Sequence, residues 1–346
     1  MAIDRKATII SAINHEQTQV CPYTLEFDAP NLENQLDEYY GSDKWRSSFH
    51  NYIFRSSAID DGMRWDVAED FSDLYGSRWT ARSRPAHLLE PALKKPSLKG
   101  YTWPDPDKLF NKELEAQTRQ LIEQHSDRFT LVMFGFGLFE RCSALRGFEN
   151  ALADCAAEPN FYKDLVAAIA EHQNQLVDRM LTLPVDGIMF MDDWSDQRGV
   201  MIGPDRWREI IKPYIVKFYA KVHAAGKYAV SHCCGSVVDL LPDIIEAKLD
   251  VLHSVQPEAH EMNPHKLKEK FGDKITFWGG LGSQSIIPLG SPDELRHEIR
   301  KLVKNMSKGG GYILSSAKAL LAETPVENAA AILEEFTAAG GEPFVA

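Results

Sequence analysis

The sequence predicts an α/β fold, a (β/α)8 TIM barrel, on three observations. Short apolar runs of strand length alternate with amphipathic stretches of helical length through the second half of the chain. The runs are apolar on both faces, as suits a parallel sheet covered on each side. No Gly-x-Gly-x-x-Gly turn follows the first strand, which argues against an open doubly wound sheet. At 346 residues the chain is long enough for one such barrel and for a core that needs no disulfides.

The elements follow in order. The stretch MAIDRKATIISAINHEQ lacks the long apolar core of a signal peptide and reads as an amphipathic helix. PYTLEF (22–27) is the first strand. Residues 30–129 are rich in Trp, Tyr, Pro and Arg and read as an irregular capping insertion after strand 1, with a small hairpin near 70–84. A further strand is placed near 59–67, around Ile59–Trp65. Then come TLVMFGF (130–136), GIMFMDD (187–193), KYAVSHC (227–233), VLHSVQ (251–256), ITFWGGL (275–281) and GYILSSA (311–317). Helices are expected at 159–181, 204–225, 236–247, 263–271, 291–306 and 325–338. Several open on a cap followed by proline: Gly203-Pro204, Asn263-Pro264 and Ser291-Pro292. Eight strands would close one barrel domain over 1–346.

Lys+Arg number 38 against Asp+Glu 50, a formal charge of −12. That argues against a nucleic-acid or anionic-membrane binder, since both need a basic face. No apolar run reaches the length of a membrane span. The five cysteines are Cys21, Cys142, Cys155, Cys233 and Cys234; an odd count with two adjacent makes a poor disulfide framework, so a reducing cytoplasm is expected. Barrels of this size often pair, so a homodimer is compatible with the sequence.

In a barrel of this kind the chemistry sits at the C-terminal ends of the strands. Those ends bring Glu26, Asp28, Phe136, Glu140, Gln256, Gln284 and Ser316 forward as residues expected to line a substrate site, and Asp192, Asp193 and Lys318 as groups expected to do chemistry. Ser231-His232-Cys233-Cys234-Gly235 is the sharpest local feature. Side chains two apart on a strand share a face, so His232 and Cys234 can meet at one point while Cys233 turns away. Imidazole and thiolate are a natural zinc pair; the plainer reading is a buried thiol beside a hydrogen-bonded core histidine. Asp192 and Asp193 face opposite ways, so one is free for chemistry while the other can cap a helix or pair with arginine. Glu26 and Asp28 share a face, where either a ligand or a salt bridge to an arginine of the cap fits. Lys318 is a solvated lysine or a rim amine. Glu140, Arg141, Arg146 and Glu149 read as an ion-pair network, and Trp194, Trp278 and Tyr312 as core or pocket wall.

With these residues in hand, the sequence resembles the uroporphyrinogen decarboxylase superfamily, and within it the methyltransferase-like, corrinoid-linked branch. The resemblance is carried by Phe139-Glu140-Arg141 through Leu145-Arg146-Gly147-Phe148-Glu149-Asn150, by Asp186-Gly187 to Asp192-Asp193, and by Trp207-Arg208 with Lys212-Pro213-Tyr214. It continues through His232-Cys233-Cys234-Gly235, Val255-Gln256-Pro257-Glu258-Ala259, Phe277-Trp278-Gly279-Gly280 and Gly309-Gly310-Gly311-Tyr312-Ile313-Leu314 to Glu323-Thr324-Pro325-Val326-Glu327-Asn328. It implies a single (β/α)8 barrel. The zinc methyltransferases of this family use His-x-Cys and a distant Cys after the last strand; His232 and Cys234 match, but the last position falls on Lys318. The resemblance therefore implies Zn2+ on His232 and Cys234 with a third ligand such as Glu26 or Asp193. It also implies methyl transfer between a small substrate (methoxylated aromatic, methylamine-type or thiol) and methylcobalamin or another corrinoid carried on a partner protein. Uroporphyrinogen decarboxylases carry a His at about the position of Lys318 and an early arginine-rich motif. Here the chain reads Asp28-Ala29-Pro30-Asn31-Leu32-Glu33. A metal-independent decarboxylase using Lys318 with Asp192 or Asp193, or a barrel that binds without catalysis, are the alternatives.

Overall fold

The fold was read from a computed structural model that describes residues 3–28, 30–64, 68–82 and 86–346. Its strands are β1 (Ile53–Ser57), β2 (Asp70–Ser72), β3 (Arg78–Thr80), β4 (His87–Glu90), β5 (Phe129–Phe134), β6 (Gly187–Met191), β7 (Tyr228–His232), β8 (Val251–Val255), β9 (Thr276–Leu281) and β10 (Tyr312–Ser316). β1 and β5 to β10 form a seven-stranded sheet in that order, and all its pairs are parallel. Helices cross between most successive strands, as a parallel connection requires.

The sheet curls, and the stretch 22–27 fills the gap between its two edges. Pro22 O accepts from Leu314 N and Leu314 O from Thr24 N; farther along, Glu26 O accepts from Leu320 N. On the other side Tyr52 N donates to Tyr23 O. The Asn51 side chain then takes the place of a strand backbone: its Oδ1 accepts from Leu25 N at 2.7 Å and its Nδ2 donates to Leu25 O at 3.0 Å. PYTLEF is therefore the eighth rung, held by isolated bridges (Tyr23 to Leu314, Phe27 to Leu320) rather than by a regular ladder.

The expected strand near 59–67 is corrected. The barrel strand is β1, a few residues earlier, while residues 58–64 form loop and bend, and 65–67 lie outside the described residues. The reason is in the sequence of β1, Ile-Phe-Arg-Ser-Ser: its mouth-facing positions are polar, so it lacks the apolar signature of a buried strand. The stretch 30–129 thus contributes a barrel strand as well as the three-stranded antiparallel sheet β2–β3–β4. That sheet extends the hairpin expected near 70–84 by a strand; residues 83–84 lie outside the described residues. Arg141, buried on the helix Leu138–Arg146, ties the loop to the barrel through a 2.8 Å ion pair with Asp61.

The helices expected at 159–181, 263–271, 291–306 and 325–338 are observed as Pro159–Met180, Pro264–Phe271, Pro292–Met306 and Val326–Ala339. The segment 204–225 is two helices, Pro204–Ile210 and Lys212–Ala224. Pro213 lacks the N–H that a continuous helix would need there. Pro242 likewise stands at the start of Leu241–Glu246, splitting 236–247 into a 3-10 turn and a short helix. Among the described residues, no helix is long and apolar enough to cross a membrane.

Candidate metal centre at the barrel mouth

In-register residues of four neighbouring strands make one row. Met191 pairs with His232, His232 with His253, and His253 with Trp278. Register partners point to the same face of a sheet, so all four look into the barrel. They line a cavity of about 200 Å3, together with Thr24, Arg55, Cys234 and Lys318. Trp278 closes the ring by donating its indole N–H to Thr24 Oγ1 at 2.8 Å. This is below the usual 300–1,000 Å3 of drug-sized pockets, roughly the scale of a small metabolite.

At one side of the cavity three donors converge. His232 Nε2 lies 3.4 Å from Cys234 Sγ and 3.6 Å from Asp193 Oδ1. All three ligand atoms lie within 4.8 Å of one another. A tetrahedral zinc with bonds of about 2.0–2.3 Å would set neighbouring donors about 3.4–3.6 Å apart. The residues therefore fit the ion in chemistry and in spacing. Local structure fixes each donor: His232 ends β7, Cys234 follows two residues on, and its amide donates to Asp193 Oδ1 at 2.8 Å. Cys233 turns outward, fully buried, with its sulfur 3.2 Å from Trp194 N. On the far side of His232, its Nδ1 lies 2.7 Å from His253 Nδ1. The His253 ring in turn packs on Trp278 at 4.4 Å between centroids.

Burial dominates the electrostatics. It lowers His232 and, more strongly, His253, so both are neutral at neutral pH. Burial and then the Asp193 carboxylate push the Cys234 thiol up to about 12 in the metal-free protein. Glu140 is pushed up to about 9, first by burial and then by Asp192 and Asp193, and so carries a proton at neutral pH.

The adjacent aspartates divide as their opposite facing requires. Asp193 joins His232 and Cys234. Asp192 is buried and acts as a cap for the helix Leu138–Arg146: its oxygens accept from Phe139 N at 3.0 Å and Glu140 N at 2.9 Å, and from the Trp194 indole N–H at 2.6 Å. Gly137 is required there, because a Cβ on it would stand 2.4 Å from Asp192 Cβ. Asp192 therefore does not reach the cavity as the catalytic group the sequence suggested. Of the two carboxylates expected as a third ligand, Glu26 lines the cavity paired with Arg55, while Asp193 stands with His232 and Cys234.

Ser316 and the exposed Lys318 line the cavity, and Lys318 makes no ion pair among the described residues. Gln256 instead acts behind the site, its Oε1 accepting from Gly235 N at 3.1 Å. Phe136 sits apart from the cavity lining against Trp79 and Arg141, its carbonyl accepting from Gln173 Nε2 at 2.9 Å. Asp28 is exposed and outside the cavity lining, and Gln284 pairs with Gln197 at 3.2 Å on the outer rim. Sequence reasoning missed His253 and Arg55. His253 was detectable as a second imidazole at an inward position of an apolar strand; Arg55 was hidden with β1.

A closed parallel barrel with a polar donor cluster at the C-terminal mouth defines an enzyme-like (β/α)8 scaffold. The chain belongs to the uroporphyrinogen decarboxylase family: the sequence profile named Uroporphyrinogen decarboxylase (URO-D) matches residues 82–338. Among solved structures, a methyltransferase from Methanosarcina mazei superposes with a TM-score of 0.73 at 16% identity, over 98% of this chain and 99% of that one. Weaker likenesses are the YdhT protein from Bacillus subtilis (TM-score 0.41, 8% identity, 94% of this chain and 86% of that one) and an endo-beta-mannanase/endo-beta-glucanase from Prevotella bryantii (TM-score 0.40, 10% identity, 68% and 40%). No curated protein matches the sequence.

Proposed function

We propose that this protein is a zinc-dependent methyltransferase that moves a methyl group between a small substrate and a corrinoid protein docked over the barrel mouth. The observation that carries the reading is the convergence of Asp193 Oδ1, His232 Nε2 and Cys234 Sγ at zinc-ligand spacing on the wall of a small cavity. His232, Cys234 and Asp193 would hold the ion. When bound it would supply Lewis acidity, polarising a methoxy oxygen or lowering the pKa of a thiol.

The rest of the work belongs to the chain's own residues. Asp193 holds the backbone at Cys234 through the amide hydrogen bond, which sets the direction of the sulfur. Met191 and Trp278 give the cavity apolar walls that exclude water from the reacting atoms. Lys318 and Ser316 stand on the cavity wall as groups for a polar end of the substrate. Methyl transfer to cobalt needs a close, in-line approach, so positioning supplies much of the catalysis. The small cavity favours a methoxylated aromatic, methylamine-type or thiol substrate over a tetrapyrrole. The same reading takes the chain as one barrel domain working in the cytoplasm, where cysteines stay reduced.

The test is metal content and cobalt spectroscopy. Freshly purified protein is expected to hold about one zinc per chain (three protein ligands and an open position), lost in His232→Ala. Added methylcob(III)alamin is expected to change its cobalt bands in the presence of a methyl-accepting thiol. Metal-free protein with no response to zinc, and no spectral change with any substrate class, sinks the reading. The metal-independent decarboxylase reading is favoured by one observation, a Lys318 in the cavity that makes no ion pair among the described residues; carbon dioxide release from an acidic substrate by zinc-stripped protein would select it.

A further inference from the structure

We propose that His253 is a positioning residue for His232: it accepts the Nδ1 proton of His232 and so fixes the tautomer whose Nε2 lone pair faces Cys234 and Asp193. The inference deepens the metal-site reading above, and its central claim is testable without metal.

The geometry begins with the register. His232 and His253 are cross-strand partners on β7 and β8, so their rings are driven to the same face. Their Nδ1 atoms are 2.7 Å apart, a distance that holds one proton and leaves no room for two. Two arrangements satisfy that contact, and the surroundings choose between them. Nε2, and not Nδ1, is the His232 nitrogen that faces the donor cluster: it lies 3.4 Å from Cys234 Sγ and 3.6 Å from Asp193 Oδ1. A metal held there with Cys234 and Asp193 would take Nε2 only through its lone pair, which requires the ring proton on Nδ1. His253 therefore accepts at Nδ1 and carries its own proton on Nε2, in a ring that lines the cavity and packs against Trp278.

Histidines that bind metals nearly always donate their other N–H to a fixed acceptor, usually a carboxylate or a carbonyl. Here the acceptor is a neutral imidazole. It orients His232 without adding negative charge. A thiolate from Cys234 and the carboxylate of Asp193 would already balance a divalent ion. A carboxylate in place of His253 would make the centre anionic and weaken its pull on substrate electrons.

The experiment uses full-length protein labelled with 15N-histidine. In metal-free wild type at pH 7.5, long-range 1H–15N spectra are expected to show His232 protonated at Nδ1 and bare at Nε2. His253→Phe keeps a ring against Trp278 but removes the acceptor. His232 should then lose its single tautomer, and zinc affinity, measured by chelator competition, should fall about 10- to 100-fold. His253→Asn places an amide oxygen near the position of Nδ1 and should restore zinc affinity to within a few-fold of wild type. The Co2+-substituted spectra should follow the same order, wild type and Asn alike, Phe shifted. His232 protonated at Nε2 in wild type, zinc affinity in His253→Phe within twofold of wild type, or equal losses in the Phe and Asn variants would each overturn the assignment. Wild type that shows the expected tautomer but binds no zinc would instead overturn the metal-site reading and leave the positioning role standing.

Discussion

Asp192 offers the sharpest separation of structure from chemistry, because buried N–H donors already occupy three of the roughly four acceptor sites of its carboxylate. Its two oxygens receive three N–H donors, two from the first turn of the helix Leu138–Arg146 and one from Trp194. Asp192→Asn keeps one acceptor oxygen. Turned toward Phe139 and Trp194, it preserves those two bonds, but the amide NH2 then meets the Glu140 N–H donor to donor. A buried donor left without a partner costs about 1–3 kcal/mol, and the two surviving bonds lose their charge assistance. The sum is about 2–4 kcal/mol. Asp192→Ala orphans all three donors and should cost about 4–6 kcal/mol on the same scale. With an unfolding entropy of roughly 2.1 cal/mol/K per residue, a chain of 346 residues loses about 1 °C of Tm for each 0.7 kcal/mol. The expected falls are about 3–5 °C for Asn and about 6–8 °C for Ala. Thermal melts by circular dichroism read these directly, with zinc content measured on the same samples as a control. If Asp192→Asn melts within 1 °C of wild type yet loses turnover by orders of magnitude, Asp192 is a catalytic group and the capping argument fails.

Glu26→Gln should leave zinc content unchanged, because Glu26 is engaged with Arg55 while Asp193 stands with His232 and Cys234; elemental analysis showing metal loss would return Glu26 to the ligand set. Asp193→Ala should lower zinc affinity at least tenfold in chelator competition, and an unchanged affinity would remove it from the site. Asp61→Ala leaves the buried Arg141 guanidinium without its anion and should cost about 3–5 kcal/mol in urea unfolding; a change under 1 kcal/mol would show that Tyr75 and Phe136, stacked on that guanidinium, suffice to hold it. His172 is buried, with Nε2 2.8 Å from the Pro104 carbonyl, and burial lowers its pKa below 6.5. The unfolded chain therefore takes up a proton below pH 6.5 that the folded chain resists, and stability from this residue is lost as pH falls. The Tm advantage of wild type over His172→Gln should shrink from pH 7 to pH 5; an advantage that grows on acidification would contradict the sign.

The sequence pattern is most legible where side chains face apolar surroundings and least where they face the mouth. β5 to β10 read as apolar runs because helices cover one face and the barrel interior the other. β1 does not, because Arg55 turns into a polar cavity and two serines follow it, and an apolar-run criterion passes over such a strand. PYTLEF reads as a strand, yet one side of it is completed by an asparagine side chain, a substitution no periodicity rule anticipates. The candidate site shows the same division. Period two along β7 suffices to bring His232 and Cys234 together, since that relation is local. Which carboxylate joins them is not local. Glu26 and Asp193 are both strand-end acids, and their separation around the ring decides between them: β6, which leads to Asp193, is the direct neighbour of β7, while the 22–27 rung lies across the barrel beside β10. His253 falls between the two cases. Its strand and its inward position follow from the sequence, but its meaning depends on a cross-strand register that places its ring beside His232 and not one residue higher or lower. A one-residue slip of β8 would turn His253 into the helix layer and leave His232 without a fixed tautomer. The register of that single strand pair, and not the identity of the two histidines alone, therefore makes the centre.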